Sequence, residues 1–348
     1  MMGRPARSRS LRVAAGALAA GLAAGLAACG SSGGPSTTTS ASGKKLTDVT
    51  LMLDWVPNPD HVGIYYALDK GYFKRAGLNV KIQVPGQGNA AQFVGSNRDD
   101  LGVSWPSGMF SATLTHIPIT VVAATMPQVA DVIIISPKSG VKSIAGLAGH
   151  SIGYFSPVGK TQAQYVVRHN GVNPDKVSYV DVGTSLVQAL LSNKVTAMTG
   201  GLANVEAVQT KIAFGQQEPV FTLSSQGFPP YPEFTLIANT NRLKNAAYAH
   251  MVRTFIAALI QGEKAAVKDP SGAEAILKKA TQYDPKFLDE STPESLKLIT
   301  PSPGEGWDCL NIQQLQTVAN FMTSQKIITG HVDASTEATN KYNSACSQ

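Results

Sequence analysis

The chain has 348 residues, 43% of them hydrophobic and 15% charged, which is enough apolar material for two domains or one large one and excludes a disordered chain. Much of its formal net charge of +6 comes from Arg4, Arg7, Arg9 and Arg12. Without those arginines the charge falls from +6 to +2, leaving no basic footprint for nucleic acid.

Residues 1–28 read as a secretory signal: the arginines form its basic start, and the Ala/Gly/Leu run from Val13 to Ala28 is too short and glycine-rich for a permanent span. The run ends Leu26-Ala27-Ala28-Cys29, which resembles the bacterial lipobox. That resemblance implies cleavage before Cys29 and a diacylglycerol thioether on its sulfur. Residues 29–46 are rich in Gly, Ser and Thr and read as a flexible tether. The expected location is therefore extracytoplasmic, with the protein lipid-anchored to the bacterial cell membrane. Cys309 and Cys346 then remain, and in an oxidising compartment an even pair is most simply a disulfide.

Beyond the tether, Val49, Leu51 and Leu53 alternate with polar neighbours as a strand does. The segment Asp54-Trp55-Val56-Pro57-Asn58-Pro59-Asp60 breaks it, because proline lacks a donor and turns its predecessor away from helix. Asp60 is then the N-cap of a helix through His61, Ile64, Tyr65 and Leu68 to Gly71. A strand that stops, turns and starts a helix puts its turn at the sheet edge where open α/β folds bind ligands. Further strands are expected at 80–84, 101–104, 119–124, 132–135, 150–154, 177–180, 195–198 and 234–238, with helices or helical turns at 90–94, 143–147, 161–170 and 185–192. Helices follow at 246–267, 273–280 and 312–325. The alternation predicts an α/β fold with mostly parallel sheets covered by helices on both faces.

The run DWVPNPDHVGIYYALDKGYFKRAGLNVKI resembles the start of the family that includes thiamine-pyrimidine-precursor binding proteins and sulfonate- or nitrate-type transport receptors. LGVSWPSGM is similar to a ligand-contacting strand end of that family, and residues 136–154 and 187–198 follow its order. Asn204-Val205-Glu206 and the segment 227–233, GFPPYPE, resemble its pyrimidine-binding branch. The resemblance implies a two-lobed type II periplasmic-binding-protein fold that closes on its ligand by a hinge. Residues 47–135 and 237–348 would form one lobe and residues 136–236 the other.

Each candidate ligand residue also has a plainer reading. Trp55, Tyr65 and Trp105 offer flat faces for a heteroaromatic ring, or they pack internally. Asp54 is a candidate at the start of the turn, and Asn58 and His61 follow with groups for ring nitrogens, yet Asn58 also suits turn stabilisation and a lone histidine suits the interior. Ser104 and Asn204 enter through the family patterns. Glu206 and Glu233 could accept hydrogen bonds from an exocyclic amine, or be solvated glutamates, and Tyr231 sits between rigid prolines where it could cap the cleft. Gly159-Lys160-Thr161 resembles the end of a phosphate loop, but Tyr154 stands where that motif needs glycine. Gly159 and Thr161 are read instead as a strand-to-helix loop offering backbone N–H groups, against plain helix capping.

HExxH and CxxC do not occur, GxSxG occurs as Gly30-Ser31-Ser32-Gly33-Gly34 in the tether and not at a strand-to-helix turn, and the six histidines lack metal-ligand spacing, so no enzyme, cofactor or metal is expected. Eukaryotic relatives in the family that make the thiamine pyrimidine carry a cysteine-rich iron-binding motif, which these three cysteines cannot supply. The expectation is a monomeric solute-binding lipoprotein of an ABC importer, delivering a thiamine-related pyrimidine or similar nitrogen heterocycle to permease subunits. An anionic solute such as a sulfonate or nitrate is the alternative ligand, and an extracytoplasmic pyrimidine-processing enzyme the alternative activity.

Overall fold

The computed structural model describes residues 36–39, 43, 45–86 and 88–346; the signal peptide 1–28 and the lipidation of Cys29 lie outside the described residues. The strands are β1 Thr37–Thr39, β2 Lys45–Met52, β3 Leu78–Gln83, β4 Leu101–Ser104, β5 Ile119–Met126, β6 Asp131–Ile135, β7 Ser151–Tyr154, β8 Ser178–Asp181, β9 Ala197–Leu202, β10 Val220–Thr222 and β11 Phe234–Asn239. The helices are α1 Val62–Asp69, α2 Tyr72–Arg75, α3 Ala90–Gly95, α4 Pro106–Leu114, α5 Pro157–His169, α6 Leu186–Leu191, α7 Glu206–Phe214, α8 Ala246–Lys268, α9 Pro270–Ala280, α10 Pro285–Leu298, α11 Ile312–Ser324 and α12 Ala334–Glu337. No helix among the described residues is long and apolar enough to cross a membrane.

Two sheets organise these elements. The first runs β1-β2-β4-β11-β5 with β3 also on β2, and the second runs β10-β6-β9-β7-β8. Both are mixed rather than mostly parallel. β2 pairs in parallel with β3 and β4, and β7 with β8 and β9. The returning strand β11 inserts antiparallel between β4 and β5, and β6 joins β9 and β10 antiparallel. The sequence concealed this because β5 and β11 are buried at every position, and a strand buried on both faces reads as continuous apolar sequence whatever its direction.

The chain passes between the sheets at 127–130 and returns at 223–233. The first passage therefore precedes β6, which pairs in the second sheet and not, as the sequence implied, in the first lobe up to residue 135. β11 already starts at Phe234, three residues before the expected boundary at 237. The tether also differs from expectation at its end. Thr37–Thr39 pairs antiparallel with Lys45–Thr47, and the Ser36 and Thr38 hydroxyls donate to Asp48, so β-branched threonines here edge the sheet.

On the first sheet, α1 and α2 pack on α8, whose Tyr248, Phe255 and Leu259 are buried; Phe255 stacks on Phe73 with ring centroids 4.7 Å apart. Helices α4, α7 and α10 were not foreseen. In α10 the reason is Pro293 within the helix, a placement that costs about 3 kcal/mol in a regular interior. Burial of Phe287, Leu288 and Leu296 on one face sustains the helix nonetheless.

Cys309 and Cys346 form the expected disulfide, 37 residues apart in sequence, and tie the C-terminal tail to the segment before α11. Closing a loop of this size restricts the unfolded chain, so Cys346→Ser should lower stability by roughly 2–4 kcal/mol. Urea unfolding of the variant beside the parent protein measures the loss.

Candidate functional site

The break after β2 builds one wall. Asn58 is extended (φ −149°), and its side-chain oxygen accepts the Asp60 N–H at 2.7 Å, while the two prolines remove donors that would otherwise need partners. The Asn58 N–H points to His61 Nδ1 at 3.4 Å, so the other ring nitrogen carries the proton, and Nε2 donates to Asp54 Oδ1 at 2.8 Å. His61 thereby fixes the Asp54 carboxylate, whose Oδ2 is buried with no partner. The end of β4 contributes Trp105, packed edge-on against Phe234 at 4.9 Å.

The opposite wall comes from the ends of β7 and β9. Phe155 follows β7 and is 40% exposed. Ser156 caps α5 by accepting the Gly159 N–H at 3.1 Å. Gly200 has φ +83°, and a Cβ there would lie 2.6 Å from Phe155 Cε1, so only glycine lets this backbone pass beneath the ring. Glu206 opens α7 and accepts the Leu202 N–H at 2.8 Å.

Between the walls lie a cavity of about 560 Å³ and a neighbouring one of about 120 Å³. They share Asp54, Trp55, Trp105, Phe155 and Gly200. The larger adds Gly159, Tyr231, Asp131 and Glu233; the smaller adds Asn58, Asp60, Glu206, Thr184 and Tyr283. Five carboxylates therefore line the space, and among the described residues no lysine or arginine does. Burial pushes Asp60 up to about 7 although Asn204 Nδ2 donates to it at 2.6 Å. Burial likewise holds Glu233 up at about 7 against two backbone donors. Asp131 is raised well above its ordinary value, first by burial and then by the neighbouring charges of Glu233 and Glu206. Burial also raises Glu206. Carboxyls in such surroundings suit a ligand that donates protons or carries positive charge.

Of the residues singled out in the sequence, Asp54, Trp55, Asn58, Trp105, Gly159, Glu206, Tyr231 and Glu233 come together around the cavities. Five do not. His61 is 1% exposed and stands behind Asp54. Tyr65 packs on the core with its ring edge toward His61. The Ser104 hydroxyl turns back to the Trp105 carbonyl, and Thr161 donates to Pro157 within α5. Asn204 is fully buried and joins the two walls: its Nδ2 donates to Asp60 and to Ser295 Oγ at 2.8 Å, and its backbone carbonyl accepts from the Ser291 hydroxyl. Asn204→Ala strands Asp60 inside the protein and should cost roughly 1–3 kcal/mol of stability, measured by urea unfolding.

Asp131, Phe155, Asp60, Thr184 and Tyr283 are lining residues that sequence reasoning did not select as ligand contacts. Asp131 did carry a signal, since an aspartate opening the fully buried strand Asp131–Ile135 needs a reason to be there.

The family described as NMT1/THI5 like matches residues 58–273. A putative thiamine biosynthesis protein of Haemophilus influenzae is 27% identical over 290 residues, covering 80% of this chain and 88% of that protein. The formylaminopyrimidine-binding protein of Halalkalibacterium halodurans is 26% identical over 266 residues, covering 76% and 80%. A 4-amino-5-hydroxymethyl-2-methylpyrimidine phosphate synthase of Saccharomyces cerevisiae is 29% identical over 154 residues, covering only 44% and 45%. Among solved structures, the alkanesulfonate-binding protein SsuA of Xanthomonas axonopodis pv. citri superposes with a TM-score of 0.65 at 13% identity, covering 84% of this chain and 98% of that one. Likeness of this kind shows the fold, the two-lobed type II periplasmic-binding-protein architecture.

Proposed function

The chain belongs to the NMT1/THI5-like family, and we propose that it is an extracytoplasmic solute receptor for a planar, amine-bearing nitrogen heterocycle of the thiamine-pyrimidine class. One observation carries the reading: the cavities present five carboxylates and the rings of Trp55, Trp105 and Phe155, with no lysine or arginine among the described residues. Carboxylates accept from ring and exocyclic N–H groups, and each aromatic face adds about 0.5–1.5 kcal/mol of stacking. A sulfonate or nitrate would meet five acidic side chains and no lysine or arginine counterion among the described lining residues. The likeness to a sulfonate receptor therefore extends to the scaffold and not to the ligand. A cavity near 560 Å³ also suits a small ring with one substituent.

The remaining roles follow as parts of the same proposal. Lobes joined through 127–130 and 223–233 close on the ligand; Cys29 carries the lipid anchor; permease subunits of an ABC importer take delivery; and the protein binds as a monomer without chemical conversion. The yeast synthase likeness spans less than half of the chain, and no observation at the cavities favours catalysis.

Tryptophan fluorescence tests the ligand class. Of the three tryptophans, Trp55 and Trp105 line both cavities, and Trp307 stands elsewhere beside Lys264. Titration with 4-amino-2-methylpyrimidine should quench the emission, and the double substitution Trp55→Phe with Trp105→Phe should remove most of the response. Quenching by an alkanesulfonate, with none by aminopyrimidines, contradicts the proposal.

A further inference from the structure

The carboxyls of Asp131 and Glu233 occupy a position that ligand contact alone does not explain. Asp131 is the first residue after the outgoing passage between the sheets, and Glu233 is the last residue of the returning one. Glu233 Oε2 accepts the N–H groups of Ala130 at 2.7 Å and Asp131 at 2.8 Å, so a side chain on one passage clasps the backbone of the other. The two acids are 6% and 1% exposed, and both line the larger cavity. Asp131 Oδ1 is buried without a partner. Tyr231 stands beside Asp131, and the charges that reach the pair from the two walls, Glu206 and Asp54, are also acidic.

We propose that the Asp131–Glu233 pair is a subsite for a protonated primary amine on the ligand, and that seating this cation between the two passages favours the closed arrangement of the lobes. The proposal rests on the heterocycle reading above and sharpens it to ligand charge. Two carboxylates brought together away from water repel each other and lose solvation. An ammonium group offsets both costs, whereas a neutral hydroxyl leaves the pair to find a proton instead. Because the acids stand at the ends of separate passages joined by the Glu233 clasp, charge neutralised in the cavity acts at the point where the lobes turn.

Calorimetric titration with two matched probes tests it: 4-amino-2-methylpyrimidine bearing a 5-aminomethyl group, and the same ring bearing a 5-hydroxymethyl group. The aminomethyl probe should bind tighter by roughly tenfold or more. Asp131→Asn and, separately, Glu233→Gln, which keeps an acceptor for the backbone N–H groups, should each reduce that preference to under about threefold while largely sparing the hydroxymethyl probe. Equal affinities in the parent protein, or a preference that survives both substitutions, overturns the subsite. If neither pyrimidine binds, the heterocycle reading fails separately, and methylammonium chloride then probes the pair through thermal unfolding. Stabilisation beyond that given by sodium chloride in the parent protein, lost in Asp131→Asn, supports the subsite; an equal response in both refutes it.

Discussion

Thermal unfolding is expected to move to lower temperature as pH rises from about 5 to 8, opposite to the trend set by ordinary salt-bridged carboxylates. Asp60, Glu233 and Asp308 are each held at about 7 by burial, against ordinary values of 3.8, 4.5 and 3.8. Glu263 is raised as well, by burial and by the facing Asp308. A folded value above the unfolded one means that the native protein holds protons which the unfolded chain has released. The stabilisation is complete below the unfolded values near 4 and is lost as pH passes through 7. Each such proton changes stability by about 1.4 kcal/mol per pH unit within that window. The carboxyls shifted the other way, Asp48, Asp269, Asp289 and Asp333, are lowered from 3.8 and act only below the window.

Glu263 and Asp308 are the simplest pair in which to see the effect, because they lie outside the two cleft cavities. Asp308 has φ +58°, both residues are 1% exposed, and each carboxyl is the other's hydrogen-bonding neighbour. Glu263→Gln should flatten the pH dependence and raise stability at pH 8, read by differential scanning calorimetry across pH. A midpoint that rises from pH 5 to 8 contradicts the assignment.

The largest single loss of stability is expected from Gly262→Leu. Gly262 on α8 faces Ala67 on α1, and a Cβ there would stand 2.7 Å from the Ala67 Cα. That neighbour is backbone and cannot rotate away, so the helices must separate. Overpacking of this kind costs roughly 3 kcal/mol or more. The turn that precedes α1 carries Asp54, Asn58 and His61, so ligand affinity should fall together with stability. Gly262→Ala should fall between the two proteins in urea unfolding. Gly171, with φ +77° and open space around it, shows the contrast: substitution there strains only the local backbone.

The segment from Leu53 to Gly71 was legible in the sequence because its signals are local. Alternating apolar residues and two prolines each act within a few positions, and the structure follows them to a strand, a turn and a helix, but the cap is Asn58 and not the expected Asp60, whose carboxyl accepts from Asn204 instead. Sheet membership is not local. Asp131–Ile135 reads as a buried strand in either sheet, and its pairing with β9 and β10 depends on residues more than sixty positions away. The same limit applies to the site. Trp55 and Trp105 were visible as aromatics at strand ends beside proline, but His61 and Asn204 act through partners that sequence spacing does not reveal. His61 orients Asp54 seven residues back, and Asn204 reaches Asp60 across 144 residues. Phe155 went unselected for a related reason, since its role depends on Gly200 passing beneath its ring.

The most direct test of the central claim is mass spectrometry of the small molecule released when the protein, purified without refolding from the cells that express it, is denatured. A basic, planar, amine-bearing heterocycle is the expected species, retained by the parent protein and depleted from Trp105→Ala and Glu206→Ala. An alkanesulfonate or another strong anion, retained equally by all three, would contradict a cleft built from carboxylates and aromatic faces.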